Sequence, residues 1–246
     1  MKSQLSNSSE TFSEILKKLF AVIIFSIALG YIDASVVVYL RTIFFPDGFS
    51  FPLMEFGVGP LWQKLLPIEA GREATVFLVI FIVACLLSRQ PQQRFAYFVL
   101  IFAGWDIFYY VWLKILTGWP ASLMDWDILF LIPFVWAAPV LAPILVSLAM
   151  IICAAVILYR CSIGRPFQAT LPVLLGAGFA GFIVVLSFCI AGQYISDTDY
   201  RSHFYWPVFV LGYIFAIALF LKCLFRKEPP QKSNKMPLIQ IDNLDR

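Results

Sequence analysis

The chain of 246 residues is 61% hydrophobic and only 13% charged, with a mean hydropathy of +0.85. Soluble domains are about 45–50% apolar and about 25% charged, and a chain this short has too little interior to hide the excess, so its solvent is lipid. This excludes a soluble enzyme, a disordered tail and a secreted disulfide scaffold, and a net charge of +3 with no basic stripe among the aromatics excludes a nucleic-acid partner.

The expected fold class is all-α: a polytopic transmembrane helical bundle of six spans, with a proline-broken interfacial or re-entrant piece before span four. Residues 1–18 predict a cytoplasmic segment, 19–226 the six-helix domain and 227–246 a mobile cytoplasmic tail containing Pro229 and Pro230. Crossing about 30 Å of hydrocarbon takes roughly 20 apolar residues. The first such stretch is about 20–41. It runs past the length of a signal-peptide core, which predicts an uncleaved anchor. It carries Asp33, an acid at a depth where a lone carboxylate costs about 2.5–3.5 kcal/mol and needs a partner or a water-filled cavity.

Span two is expected over about 68–88. Thr75 to Leu87 is too short to cross alone, so the helix is predicted to begin near Glu69, with Glu69, Arg72 and Glu73 in its first two turns. Glu69 and Glu73 share one face, and Arg72 is placed to pair with Glu69 or to reach Asp33. The alternative is that these acids complement the helix dipole at the interface. Span three, about 95–116, carries Asp106, Tyr110 and Lys114 at i, i+4 and i+8, a stripe rising toward the outer surface. Lys114 either joins this cluster or snorkels.

The apolar run from Ile128 to Tyr159 would be about 48 Å as one helix, too long for one span. Pro133, Pro139 and Pro143 supply the break, because each lacks the N–H that an interior helix bond requires. Residues of about 121–137, opened by Asp125 and Asp127, are therefore expected to form a lid or floor over the polar cluster, with span four over about 139–159. Span five, about 169–190, has Ala177 and Gly181 at small-xxx-small spacing for close helix packing. Span six, about 204–225, starts beside His203, the single histidine.

Lys and Arg collect before span one, between spans two and three, between four and five, and after span six, which predicts cytoplasmic termini. Every acid outside the terminal segments falls in the opposite half. The candidate binding cluster is accordingly Asp33, Glu69, Arg72, Glu73, Asp106, Tyr110 and Lys114, with Asp125, Asp127, Pro133 and Pro139 in the lid. One histidine and five scattered cysteines make no metal or disulfide framework. No cofactor is expected; carboxylates alone suit at most a hard divalent cation.

The segments Asp33–Arg41, Gly71–Ala74 and Gly104–Tyr110 running to Gly118-Trp119-Pro120 resemble a group of uncharacterised bacterial polytopic inner-membrane proteins with no assigned activity. The resemblance covers roughly residues 25–150 and implies a bacterial inner membrane and a multi-span fold, and no catalytic residue. The leading functional expectation is a small-solute or ion/proton-coupled transporter. The alternatives are a structural or assembly subunit of a membrane complex, and an enzyme acting on a lipid or lipid-linked substrate from the periplasmic side. Expected partners are the bilayer and a second copy or a larger complex. Whether the acids line an open cavity discriminates among the three.

Overall fold

The computed structural model describes residues 12–165, 167 and 170–225. The predicted cytoplasmic segment as far as residue 11, and the predicted tail 227–246, lie outside the described residues. Six helices carry the fold: α1 (Phe12–Phe44), α2 (Pro60–Leu87), α3 (Pro91–Thr117), α4 (Leu141–Ser162), α5 (Leu171–Gly192) and α6 (Trp206–Leu224). Each of the six contains or lies within a segment long and apolar enough to cross a membrane. The chain is thus an all-α, multi-pass membrane protein. Proline opens α2, α3, α5 and α6 at the first or second position, where its missing N–H has no helix partner to lose.

One end of the bundle gathers Lys18, Leu87, Gln92, Arg160, Phe167 and Leu224. Lys18 Nζ donates to the Leu87 carbonyl (2.5 Å), and Arg160 reaches the Leu224 carbonyl, so basic side chains satisfy the free carbonyls at two helix C-termini. The other end carries the long loops, and the acids from Asp33 to Asp199 lie between mid-bundle and that end.

The helix boundaries correct the sequence expectation in two places. First, α2 begins at Pro60, about two and a half turns before Glu69, and continues through Pro67. Glu69, Arg72 and Glu73 therefore sit in mid-helix, beyond the reach of the N-terminal dipole. Second, the proline-broken piece is an antiparallel β-hairpin of β1 (Trp126–Phe130) and β2 (Trp136–Pro139), and α4 starts at Leu141, two residues past Pro139. Pro139 closes β2 and is buried, whereas Pro133 lies in the exposed turn. That turn reads Leu-Ile-Pro-Phe-Val, with Phe134 70% exposed, and holds none of the Asn or Gly typical of hairpins in water. The hairpin enters the bundle deeply enough for Phe130 to meet Phe77, Phe102 and Trp105, near the middle of α2 and α3. Non-helical backbone at membrane depth is tolerated only against protein or beside a cavity, and the hairpin meets that condition by packing on α5 and lining the cavity described below.

Helices α1 and α3 run parallel and cross closely. A Cβ on Gly30 would lie 3.0 Å from Phe108 Cβ and Tyr109 N, and one on Gly104 would lie 2.8 Å from Ser26 Oγ. Ser26 donates to the Val22 carbonyl (2.9 Å) and to the Ile101 carbonyl (3.3 Å), tying the crossing together. Helices α5 and α6 pack through Gly176 against Leu219, and through Gly212 against Ile183 and the Ala180 carbonyl. The small-residue contact of α5 is therefore Gly176 with Ala180, one position before the expected Ala177 and Gly181, both of which face outward.

Candidate functional site

Helices α1 and α2 follow one another in the chain, yet both pack on α3 rather than on each other. Between them, over α3 and beside the hairpin, lies a partly open cavity of about 120 Å³, room for several water molecules. From α1 it is lined by Asp33, Val37 and Arg41, which recur at every fourth residue and so share one face. From α2 come Glu69, Arg72 and Glu73, from α3 Trp105, Asp106, Tyr109 and Tyr110, and from the hairpin Asp127 through Leu131. Phe44, Phe45, Phe49, Phe56 and Trp62 form an apolar, aromatic wall at the loop end. The Phe44 and Trp62 rings stack 3.6 Å apart and bridge α1 to α2.

The Arg72 guanidinium binds two acids. Its Nη1 pairs with Asp33 Oδ1, while Nε and Nη2 take Glu69 in a two-pronged contact at 3.0 and 2.5 Å. The side chains of this triad are 23%, 7% and 15% exposed for Arg72, Asp33 and Glu69. A second buried pair joins Arg41 Nη2 to Asp127 Oδ1 at 2.8 Å, and Tyr109 donates to Asp127 Oδ2 at 3.2 Å. Arg41 is also held between the Phe49 and Trp119 rings, each centroid 3.9 Å away. Burial pushes the Asp127 carboxyl above the usual carboxylate range, and the Arg41 charge and the Tyr109 hydrogen bond pull it back.

Glu73 and Asp106 are different. Glu73 is buried and accepts the Leu131 N–H at 2.9 Å, at the start of the hairpin turn. Asp106 accepts the Ser147 hydroxyl of α4 at 2.8 Å. Neither has an ion pair among the described residues, because the Arg72 fork is turned to Asp33 and Glu69 and the Arg41 fork to Asp127. Five carboxylates thus face two guanidiniums, both already engaged.

The structure therefore brings Asp33, Glu69, Arg72, Glu73, Asp106 and Tyr110 to one cavity, along with Asp127. Lys114, expected in the cluster, lies apart, and Asp125, expected in the lid, lies outside the cavity lining. Lys114 is exposed, and its Nζ donates to the carbonyls of Gly118 (2.9 Å) and Pro120 (2.7 Å), so it caps the end of its own helix. Asp125 accepts the N–H groups of Ala121 and Ser122, organising the loop before the hairpin. The cluster expected from the sequence left out Arg41, Tyr109 and Ser147. The signal for Arg41 was its spacing of eight from Asp33, two turns along one face; the contacts of Tyr109 and Ser147 depend on the hairpin and on α4, which no local pattern places.

Among the described residues no group of three or more His, Cys, Asp or Glu could hold a metal ion. All five cysteines are free. His203 stacks on Tyr194 in the loop before α6, remote from the cavity lining. Fold and site together define a multi-pass membrane protein with a charged, aromatic-walled cavity between its helices. No protein-family model matches the chain, and no curated protein or solved structure matches it either.

Proposed function

We propose that this is a bacterial inner-membrane carrier of a small solute, coupled to protons or to another cation, with the cavity between α1, α2 and α3 as its binding site. The observation that carries the reading is the pair Glu73 and Asp106: two carboxylates in one cavity, at the depth of mid-helix, without a counter-charge. A carboxylate in that position holds its charge at high cost, and a proton or a bound cation relieves it. Glu73 also supplies a route for coupling. The oxygens that would take the proton hold the Leu131 N–H, and protonation weakens that charge-assisted bond at the turn of the hairpin. Occupancy of the cavity and position of the hairpin then depend on one another.

The side of the membrane follows from charge. Lys17, Lys18, Arg89, Arg94, Arg160 and Arg165 belong to the end of the bundle opposite the acids, which supports cytoplasmic termini and a cavity in the periplasmic half. A structural-subunit reading draws on the Arg72 triad and the Arg41–Asp127 pair, both of which join elements of the fold. It leaves Glu73 and Asp106 without a purpose beyond one hydrogen bond each.

The test is access to water from both sides. In a Cys-free background, Val37→Cys, Leu66→Cys and Leu129→Cys place single thiols on the cavity wall. A carrier is labelled by a charged, impermeant methanethiosulfonate reagent added outside intact cells, and also in inside-out vesicles. Labelling from one side alone removes the carrier reading, and none from either side leaves the structural-subunit reading in its place.

A further inference from the structure

We propose that the occupant of the cavity is a monovalent organic cation with an apolar, ring-sized body. The inference rests on the cavity being the binding site, as argued above, and it names the class of molecule that site selects. Two independent features converge. The first is charge: with both guanidiniums committed, Glu73 and Asp106 offer negative charge to an incoming group and the cavity has no spare cation for an anion. A phosphate or carboxylate would have to break the Arg72 triad or the Arg41–Asp127 pair to be held.

The second is the wall. Phe44, Phe56 and Trp62 line the same cavity as the acids, and Phe56 and Trp62 lie 4.7 Å apart at their centroids. An apolar body of ring size is desolvated there, and aromatic faces attract a positive centre attached to it. An inorganic cation such as Na⁺ would gain nothing from this wall and would need oxygen ligands on all sides.

A ligand with a positive centre and an apolar body of ring size satisfies both features.

The experiment uses the full chain in lipid nanodiscs, with tritiated phenyltrimethylammonium, a cation with a single ring, as the probe read by scintillation proximity against empty discs. Two competitors of the same size and shape, unlabelled phenyltrimethylammonium and its neutral isostere tert-butylbenzene, separate charge from hydrophobicity. Saturable binding displaced by the ammonium and not by the neutral isostere is expected. Glu73→Gln and Asp106→Asn are each expected to weaken binding at least tenfold. Both amides keep an acceptor for Leu131 N–H or for the Ser147 hydroxyl, so the fold keeps its hydrogen bonds, and unchanged elution and melting confirm it. Lys114→Met, outside the cavity, should leave the affinity as it is. Binding equal to empty discs, equal displacement by tert-butylbenzene, or full affinity in both amide variants would overturn the proposal. If the wall thiols label from both sides while no cation binds, the carrier reading stands and this inference falls. If they label from neither side, both fall.

Discussion

Replacing Arg72 by methionine removes one guanidinium and strands two acids. Met keeps most of the apolar stem, so the change isolates the charge. Asp33 and Glu69 are 7% and 15% exposed in their side chains, too buried for water to take over the role of the fork. Removing one member of a buried pair costs about 3–5 kcal/mol, because the remaining charge is left uncompensated. At about 2–4 °C per kcal/mol for a chain of this size, the melting temperature in detergent should fall by on the order of 10 °C. The triple variant Arg72→Met, Asp33→Asn, Glu69→Gln carries no stranded charge and should regain most of that loss, since buried pairs are worth little net against neutral replacements. Asp33→Asn and Glu69→Gln alone leave Arg72 one carboxylate each and should cost less than the loss of Arg72. Fluorescence-detected thermal melting of the purified variants measures all four. Arg72→Met melting within about 2 °C of the wild type, or a triple variant no better than the single one, would refute the claim that this triad is buried and energetically coupled.

Other substitutions probe the remaining elements. Gly104→Leu drives a side chain into Ser26 at the α1–α3 crossing, where even a Cβ lies 2.8 Å from Ser26 Oγ; overpacking of about 1–3 kcal/mol is expected in thermal melts, together with faster proteolysis at the loop end. Gly192→Ala places a methyl group onto the Val135 carbonyl, which is backbone and cannot rotate away, so the hairpin turn should shift and a thiol at Leu129→Cys should change its labelling rate. Arg41→Gln leaves Asp127, which is 2% exposed, without its ion pair and should cost about 3–5 kcal/mol by the same reasoning as for Arg72, read again as a lower melting temperature. Ser147→Ala deprives Asp106 of its only hydrogen-bond donor among the described residues and should cost about 1–3 kcal/mol while leaving the α1–α2 bridge intact.

Some similarities in the sequence acquire a reason only in three dimensions. Gly30 and Gly104 each precede an acid by two or three residues, a likeness too short to argue duplication. In the structure they are the two sides of one helix crossing, and the close approach they permit sets Asp33 and Asp106 on the same cavity, about a turn further along parallel helices. The expectation for Arg72 came from local spacing and from the energetic need of Asp33, and the ion pair forms as that need requires. The expectation for Lys114 used the same kind of spacing and misled, because a long exposed side chain near a helix end has carbonyls of its own to satisfy.

What composition and hydropathy determined was the solvent, the number of spans and the polar half of the bundle, since apolar length and the placement of charge are properties of the chain as a string. The break between spans three and four was also legible, because three prolines cannot sit inside one helix. The form of that break was decided by the tertiary structure: the same apolar residues serve helix or strand, and only α5 against β2, with Glu73 receiving Leu131, makes a hairpin the better solution. The division of the acids was decided there too. Which carboxylates are neutralised depends on where two guanidinium forks point, and that direction is set by helices and a hairpin far apart in the sequence, through contacts that no local pattern encodes.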